Sequence, residues 1–185
     1  VLDDITLLPG EHLITARARD AAGNVSVVSQ STRINIDTVA PAAVTALDLD
    51  NRDDTGSSNL DNVTSVAKLL PGQKLTISAT VTTDIKPEDV SVYVWDDSIA
   101  PNGAIDQGEL IKLGSTLAAG APGTISSSAV NTNKYFTNLD LVEGTYSIIL
   151  TQKDAAGNES AALSANALTF TIDNTSKAIY GQATY

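Results

Sequence analysis

Alternation between apolar and polar residues is the dominant pattern along the chain, and it predicts short β-strands. In Val90–Trp95 the valines fall on one face and Tyr93 and Trp95 on the other, as the two-residue period of a strand requires. Strands are predicted at Val44–Leu49, Val63–Leu70, Leu75–Thr82, Val90–Trp95, Leu110–Leu113, Tyr135–Leu141, Thr145–Lys153 and Ala167–Ile172. No segment has the period of an amphipathic helix, and residues 114–129 show little pattern. Seven or more strands separated by turns favour an all-β, antiparallel sandwich of the Greek-key type.

A duplicated hairpin is the most informative feature of the sequence. The residues from Leu7-Leu8-Pro9-Gly10 to Asp20-Ala21-Ala22-Gly23-Asn24 recur as Leu141-Val142-Glu143-Gly144 to Asp154-Ala155-Ala156-Gly157-Asn158, at an offset of 134. Ile36-Asp37 recurs as Ile172-Asp173 at an offset of 136, which predicts that the two additional residues fall in the last strand or at its end. Self-similarity of this kind indicates a tandem array of one structural unit.

The duplication divides the chain into unequal units. We expect residues 1–37 to be the C-terminal strands of a preceding repeat and residues 38–175 to be a complete repeat with an insertion around residues 96–129. Residues 176–185 are then a tail or the start of the next segment. The joint is predicted at Asp37–Pro41, because Pro41 fixes its own φ and favours an extended predecessor. These restrictions predict a short, stiff linker.

The charge and the composition narrow the range of partners. The chain has 22 acidic and 11 basic residues, a net charge of -11, which disfavours binding to nucleic acid or to anionic lipid and favours cations. It contains no cysteine and no run of about 18 apolar residues, so neither disulfides nor membrane insertion is expected. Val1 begins without the basic and apolar segments of a signal peptide, and we expect a piece of a longer protein.

Catalytic chemistry has little support in the sequence. The single histidine, His12, lies in the incomplete copy, and its equivalent in the complete copy is Tyr146. A general base at this position is therefore not expected, and the chain contains no phosphate-binding loop, nucleophile elbow or zinc-protease motif. We expect a protein that is not an enzyme.

Two loops concentrate the oxygen-bearing side chains that a hard cation such as calcium requires. The first loop contains Asp53, Asp54 and Asp61 around Gly56, and a polar loop with Asx turns is the alternative reading. The second loop follows the Val90–Trp95 strand, and its candidate ligands are Asp96, Asp97, Asn102, Asp106 and Glu109. With Gly103 at the sixth position of an EF-hand loop, the first and third positions lack carboxylates. A plain acidic hairpin loop is the alternative there.

Three motifs together resemble a known family. They are the hairpin with Asp-Ala-Ala-Gly-Asn, the closing Ile-Asp-Thr-x-Ala-Pro, and the loop Asp54-Thr55-Gly56-Ser57-Ser58-Asn59-Leu60-Asp61-Asn62-Val63-Thr64. The combination resembles the bacterial Ig-like repeats of giant RTX-type surface adhesins. The loop after Trp95 is also similar to the calcium loops of B-type modules in serine-aspartate adhesins. At the C-terminal end the sequence Asn174-Thr175-Ser176-Lys177 departs from the family pattern.

The resemblance implies an Ig-like sandwich, bound Ca²⁺, and secretion to the bacterial cell surface. In an Ig-like topology the last hairpin returns to the end where the chain enters, which would bring Asp154 and Asn158 near Asp37. A cation bridging these residues would fix the angle between units, although turn chemistry alone could explain the hairpin sequence. We expect a monomeric, calcium-stabilised spacer in adhesion or biofilm formation, whose partners are neighbouring repeats and a host or biofilm surface ligand. The alternative is a module that binds a glycan, peptide or protein through the 96–129 insertion.

Overall fold

The protein is all-β, as the alternation predicted. The computed structural model describes residues 6–65, 74–82, 85–113 and 133–175, and the backbone of residues 124–131. The strands are β1 (Gly10–Ile14), β2 (Thr32–Ile36), β3 (Thr45–Leu49), β4 (Val63–Thr64), β5 (Leu75–Thr80), β6 (Val90–Trp95), β7 (Leu110–Lys112), β8 (Thr124–Asn131), β9 (Lys134–Asp140), β10 (Gly144–Gln152) and β11 (Leu168–Ile172). Within these ranges the helical segments are two single 3₁₀ turns, Pro87–Asp89 and Ser164–Asn166.

Strands β3 to β11 form a sandwich of two sheets. One sheet has the order β3-β5-β9-β8, and the other has the order β4-β11-β10-β6-β7. These orders correspond to the A-B-E-D and A′-G-F-C-C′ sheets of an immunoglobulin-like fold. The prediction of an antiparallel sandwich is confirmed, with one parallel pair, β4 beside β11, as an addition that alternation could not reveal.

The core lies between the two sheets and follows the alternation of their strands. Each inner face contributes every second residue of its strands, among them Leu75, Ile77 and Ala79 from β5, Val92 and Val94 from β6, and Ile148 and Leu150 from β10. Phe170 of β11 is buried as well, and its ring centroid lies 5.9 Å from that of Tyr146. Burial of these apolar side chains is the main favourable contribution to folding.

Both ends of β10 are fixed by side-chain hydrogen bonds. At its start the Tyr146 hydroxyl donates to the Val142 carbonyl over 3.0 Å, the tyrosine corner expected of this fold. At its end the buried side chain of Gln152 donates through Nε2 to the Ala42 carbonyl over 2.6 Å. Its Oε1 accepts from the backbone amide of Thr82 over 3.0 Å. Gln152 therefore ties the segment that precedes β3 to the strand at the centre of the opposite sheet.

The structure corrects two sequence predictions and leaves one untested. Residues 114–129, expected to have little pattern, contain the first part of β8, which pairs with β9. The two additional residues of the second copy lie before the last strand, because β2 and β11 keep one offset along their whole length. They belong to the segment of the Ser164–Asn166 turn, where Asn166 donates to the Val44 carbonyl over 2.9 Å. The strand predicted at Val63–Leu70 is seen as Val63–Thr64, and its remainder lies largely outside the described residues.

Two isoleucines at equivalent positions test how much the core contributes. Ile148 is 0% exposed, whereas its equivalent Ile14 in β1 is 39% exposed. We expect Ile148→Ala to lower the free energy of unfolding by about 2 to 5 kcal/mol, because it leaves a cavity in the core. The matched Ile14→Ala change should have little effect in this chain. Chemical denaturation of both variants measures the difference, and equal losses would contradict the assignment of the core.

Candidate metal-binding loops

The first acidic loop lies between β3 and β4, and its aspartates have different environments. Asp53 is buried, and its Oδ2 accepts a hydrogen bond from the Thr76 amide over 2.7 Å. The Asp53 carbonyl also accepts from the Thr64 hydroxyl. Since the Asp50 amide donates to the Thr76 carbonyl over 2.9 Å, Asp53 continues the pairing of β3 with β5 by means of its side chain. Asp53 thus has a structural role in the sheet.

Asp54 and Asp61 come together on the other side of this loop. Asp54 is 7% exposed, and its Oδ2 accepts from the Asn62 amide over 3.2 Å. Its Oδ1 is buried and has no hydrogen-bond partner in the described part of the chain. The Asp61 carboxylate accepts from the Ser57 hydroxyl over 2.8 Å and from the Val63 amide over 3.1 Å. An unpartnered buried carboxylate oxygen beside a second carboxylate is an arrangement that a cation would stabilise.

Gly56 leaves room for the Val63 carbonyl oxygen and for Oδ1 of Asp61. A Cβ atom at this position would stand 2.6 Å from the Val63 carbonyl oxygen and 2.7 Å from Oδ1 of Asp61. Any larger residue would therefore displace the loop. The sequence singled out the carboxylates but not the Val63 carbonyl, since no sequence pattern marks which backbone oxygens converge.

The ionisation of Asp54 reflects its surroundings. Burial raises the pKa of the Asp54 carboxyl; the Asn62 amide opposes this effect, and the negative charge of Asp61 reinforces it. The pKa of Asp61 is lowered, mainly by the hydrogen bond from Ser57. Without a counterion, Asp61 therefore ionises readily, whereas ionisation of the neighbouring Asp54 is disfavoured.

The second acidic loop joins β6 to β7 and is closed by its own hydrogen bonds. Asp97 Oδ1 accepts from the Asn102 amide over 3.3 Å and from the Gly103 amide over 3.2 Å. The Asn102 side chain donates to Asp106 over 2.7 Å, so these three predicted ligands lie together. Asp96 instead accepts from the Ser98 amide over 3.0 Å, and hydrogen bonds from Ser98 lower the pKa of its carboxyl.

Glu109 is turned into the protein, where backbone and indole N–H groups surround its carboxylate. It is completely buried, with Oε1 accepting from the Ala100 amide over 3.1 Å. Oε2 accepts from the Asp106 amide over 2.9 Å and from the Trp95 indole over 3.2 Å. The Asp106 amide, followed by the Trp95 and Ala100 donors, lowers the pKa of Glu109 despite its burial. Neutral donors thus satisfy this carboxylate, which the sequence predicted as a cation ligand.

The third predicted site is at the joint between the units. The side-chain amide of Asn158 donates to the Asp37 carbonyl oxygen over 3.1 Å and to Asp154 Oδ2 over 2.9 Å. The prediction that the last hairpin approaches the linker is therefore confirmed. Asp37 contributes its backbone oxygen, whereas its carboxylate accepts from the Val39 amide over 3.0 Å. The nitrogen of Asn158 already bridges the two oxygens that a cation would join.

Side chains alone do not complete a metal site in the described ranges. No group of three or more His, Cys, Asp or Glu side chains is arranged there so that it could hold an ion. Calcium, however, also takes backbone carbonyls and water as ligands. The Asp54 and Asp61 carboxylates and the Val63 carbonyl are oxygen donors of the types that calcium accepts.

Comparison with protein-family models, curated proteins and solved structures returned no match for this chain. The class of protein is thus defined by the fold alone, an all-β sandwich with an immunoglobulin-like strand order. The part of the chain seen in the structure contains no helix long and apolar enough to cross a membrane.

The pKa of Glu109 gives a pH test of the second loop. Because this pKa is lowered on folding, the ionised carboxyl stabilises the fold above the unfolded pKa, and the stabilisation is lost as the pH falls through the folded pKa. We expect Trp95 fluorescence to change at a pH below the usual range of glutamate titration, and Glu109→Gln to remove this change. Glu88→Gln, the same substitution at an exposed position, should leave it intact. An identical acid titration in Glu109→Gln would contradict the assignment.

Proposed function

We propose that the protein is a calcium-stabilised structural spacer of a bacterial cell-surface adhesin, which projects a distal binding domain. The observation that carries the proposal is the buried Oδ1 of Asp54, which has no hydrogen-bond partner among the described residues and lies beside the Asp61 carboxylate. The duplicated hairpin and the resemblance to adhesin repeats support the spacer role. The net charge of -11 is consistent with a protein that needs cations to neutralise its loops.

Calcium suits the Asp54 loop better than magnesium. Calcium accepts six to eight oxygen ligands in variable geometry, whereas magnesium requires a near-ideal octahedron and retains most of its water. Asp54, Asp61 and the Val63 carbonyl supply three oxygen-bearing groups from an irregular loop. When bound, the ion supplies positive charge and joins the oxygens of the loop.

The position of the loop connects this site to the stability of the whole unit. The Asn62 amide donates to Asp54, and the Asn62 carbonyl accepts from the Thr171 amide of β11 over 2.8 Å. Asn62 adopts a positive φ of 54°, which is uncommon outside glycine and needs support from its surroundings. An ion that fixes Asp54 therefore also fixes β4 against the last strand.

Binding to the folded state alone raises stability by linkage. At a free calcium concentration 100 times the Kd, the gain is about 2.7 kcal/mol. The spacer would consequently be stiffest where calcium is abundant, outside the cell, and less stable in the calcium-poor cytosol.

The Asp54→Asn substitution tests the calcium site by reversing its effect between two conditions. In chelator we expect Asp54→Asn to raise the melting temperature, because it removes a buried negative charge that no cation balances there. In millimolar calcium we expect it to lower the melting temperature relative to the unchanged chain, because an anionic ligand is lost. Thermal unfolding followed by circular dichroism measures both effects.

The control for this experiment is Asp48→Asn on β3. It removes the same charge at an exposed position, and we expect similar shifts with and without calcium. A chain whose melting temperature does not respond to calcium would disprove the calcium part of the proposal. Equal shifts for the Asp54 and Asp48 variants would place the binding site elsewhere.

A stiff joint is the second requirement of a spacer, and Asn158 tests it. We expect Asn158→Ala to release the Asp37 carbonyl, so that β1 and β2 tumble more independently of the sandwich. Backbone ¹⁵N relaxation of the two parts measures this coupling. Asn158→Asp keeps the size but loses the donor, and we expect it to loosen the joint as well. If calcium restored the coupling in Asn158→Asp, a cation bridge as predicted from the sequence would be favoured over the amide.

A further inference from the structure

Strands β1 and β2 form a hairpin whose apolar face is uncovered in the described chain. We propose that this face packs on the body of a second sandwich, meaning a set of strands equivalent to those of residues 44–140. The β1–β2 hairpin there takes the place that β10 and β11 have in the sandwich described above. The inference does not depend on calcium. It rests on five observations: the register of the hairpin, the corner before it, its exposure, its outer edges and its charge.

The register of the two hairpins is the same. Strand β1 pairs with β2 from Gly10↔Ile36 to Ile14↔Thr32, and β10 pairs with β11 from Gly144↔Ile172 to Ile148↔Leu168. Beyond the strands, isolated bridges join Arg19 to Val25 and Lys153 to Glu159 at equivalent positions. Residues 10–36 thus have the backbone pairing of a terminal sandwich hairpin.

The corner before each hairpin is also the same, although the residue differs. His12 Nε2 lies 2.7 Å from the Leu8 carbonyl oxygen, as the Tyr146 hydroxyl lies 3.0 Å from that of Val142. A ring nitrogen of His12 therefore replaces the phenol of the tyrosine corner. Sequence reasoning missed this role, which the alignment of His12 with Tyr146 could have suggested.

The exposure of the side chains shows that the core side of this hairpin is uncovered. Ile14 and Ile34 are 39% and 38% exposed, whereas their equivalents Ile148 and Phe170 are 0% and 1% exposed. The opposite face carries a salt bridge of 2.8 Å between Arg33 and Glu11. That face is mixed, because it also carries Leu13, which is 62% exposed. The face of Ile14 and Ile34 is the one whose equivalents are buried in the complete sandwich.

The outer edges of the hairpin indicate the strands that it would meet. In the complete sandwich β10 pairs antiparallel with β6, and β11 pairs parallel with β4. Among the described residues, β1 and β2 pair only with each other. The proposed partner offers a β6-like strand to β1 and a β4-like strand to β2.

Charge also favours this partner. Residues 6–36 contain three arginines and two acidic residues, a net charge of +1, in a chain with a net charge of -11. Residues 44–140 contain thirteen acidic and six basic residues, a net charge of -7. A hairpin of this small positive charge would meet no net electrostatic repulsion from an acidic body of this kind.

Side-chain volume indicates that the natural body is related but not identical. At the core-facing positions, Phe170, Tyr146 and Leu168 are replaced in the first hairpin by Ile34, His12 and Thr32. Each replacement is smaller or more polar. A well-packed partner therefore has larger side chains opposite these positions.

The test is a longer chain in which residues 38–140 are placed directly before Leu7, the equivalent of Leu141. Hydrogen exchange followed by NMR is compared with that of the present chain. We expect the β1 and β2 amides to exchange at least about 100-fold more slowly in the longer chain, because they become part of a cooperative sandwich. Sedimentation should show a monomer, whereas a dimer with unprotected β10 and β11 would indicate exchange of hairpins between copies and overturn the proposed docking.

Two controls keep the test decisive. Ile34→Asp, on the core side, should abolish the new protection, whereas Asn35→Asp, on the outer side, should preserve it. A second version of the longer chain carries His12→Tyr, Thr32→Leu and Ile34→Phe, which restore the side chains of β10 and β11. If β1 and β2 gain no protection in either version, the proposal is wrong.

Discussion

Strand β10 is the element on which the rest of the sandwich depends. It is hydrogen-bonded on one edge to β11 and on the other to β6, and its inner face supplies Tyr146, Ile148, Leu150 and Gln152 to the interior. Tyr146 fixes its start, and Gln152 fixes both its end and the segment entering β3. Because one strand organises the core, the corner and the entry of the chain, its hairpin with β11 is the part of the sequence that recurs most clearly.

Carboxylates have three roles in the acidic loops, and burial together with the available hydrogen-bond donors decides among them. Half-buried aspartates such as Asp96 accept nearby backbone amides and close turns. Glu109 is buried but surrounded by neutral donors, so its charge is stabilised without a cation. Only Asp54 combines burial with an oxygen that no described donor satisfies. Local chemistry, more than the density of carboxylates, therefore distinguishes a candidate ion site from an acidic turn.

Sequence patterns predicted the elements whose side chains alternate, and they failed where long-range contacts decide. The Val90–Trp95 strand was predicted with its observed bounds. Strand β8 lies in a Gly/Ala/Ser-rich stretch, and its pairing with β9 defines it. Glu109 fits an EF-hand position, yet the indole of Trp95 and two amides hold it inside the fold. Some of these partners lie far from Glu109 along the chain, and others depend on the backbone geometry of the loop. Residue spacing therefore does not identify them.

The parallel pairing of β4 with β11 has a mechanical consequence. The amides of Thr171 in β11 and of Asp173 just after it donate to the carbonyls of Asn62 and Thr64, each over 2.8 Å. When tension pulls β4 and β11 toward opposite ends of the unit, these bonds are loaded side by side in shear, so they have to break together. A hairpin pulled from its open end instead separates one bond at a time. The two-residue strand β4 thus provides a small patch of backbone hydrogen bonds that resists stretching in shear.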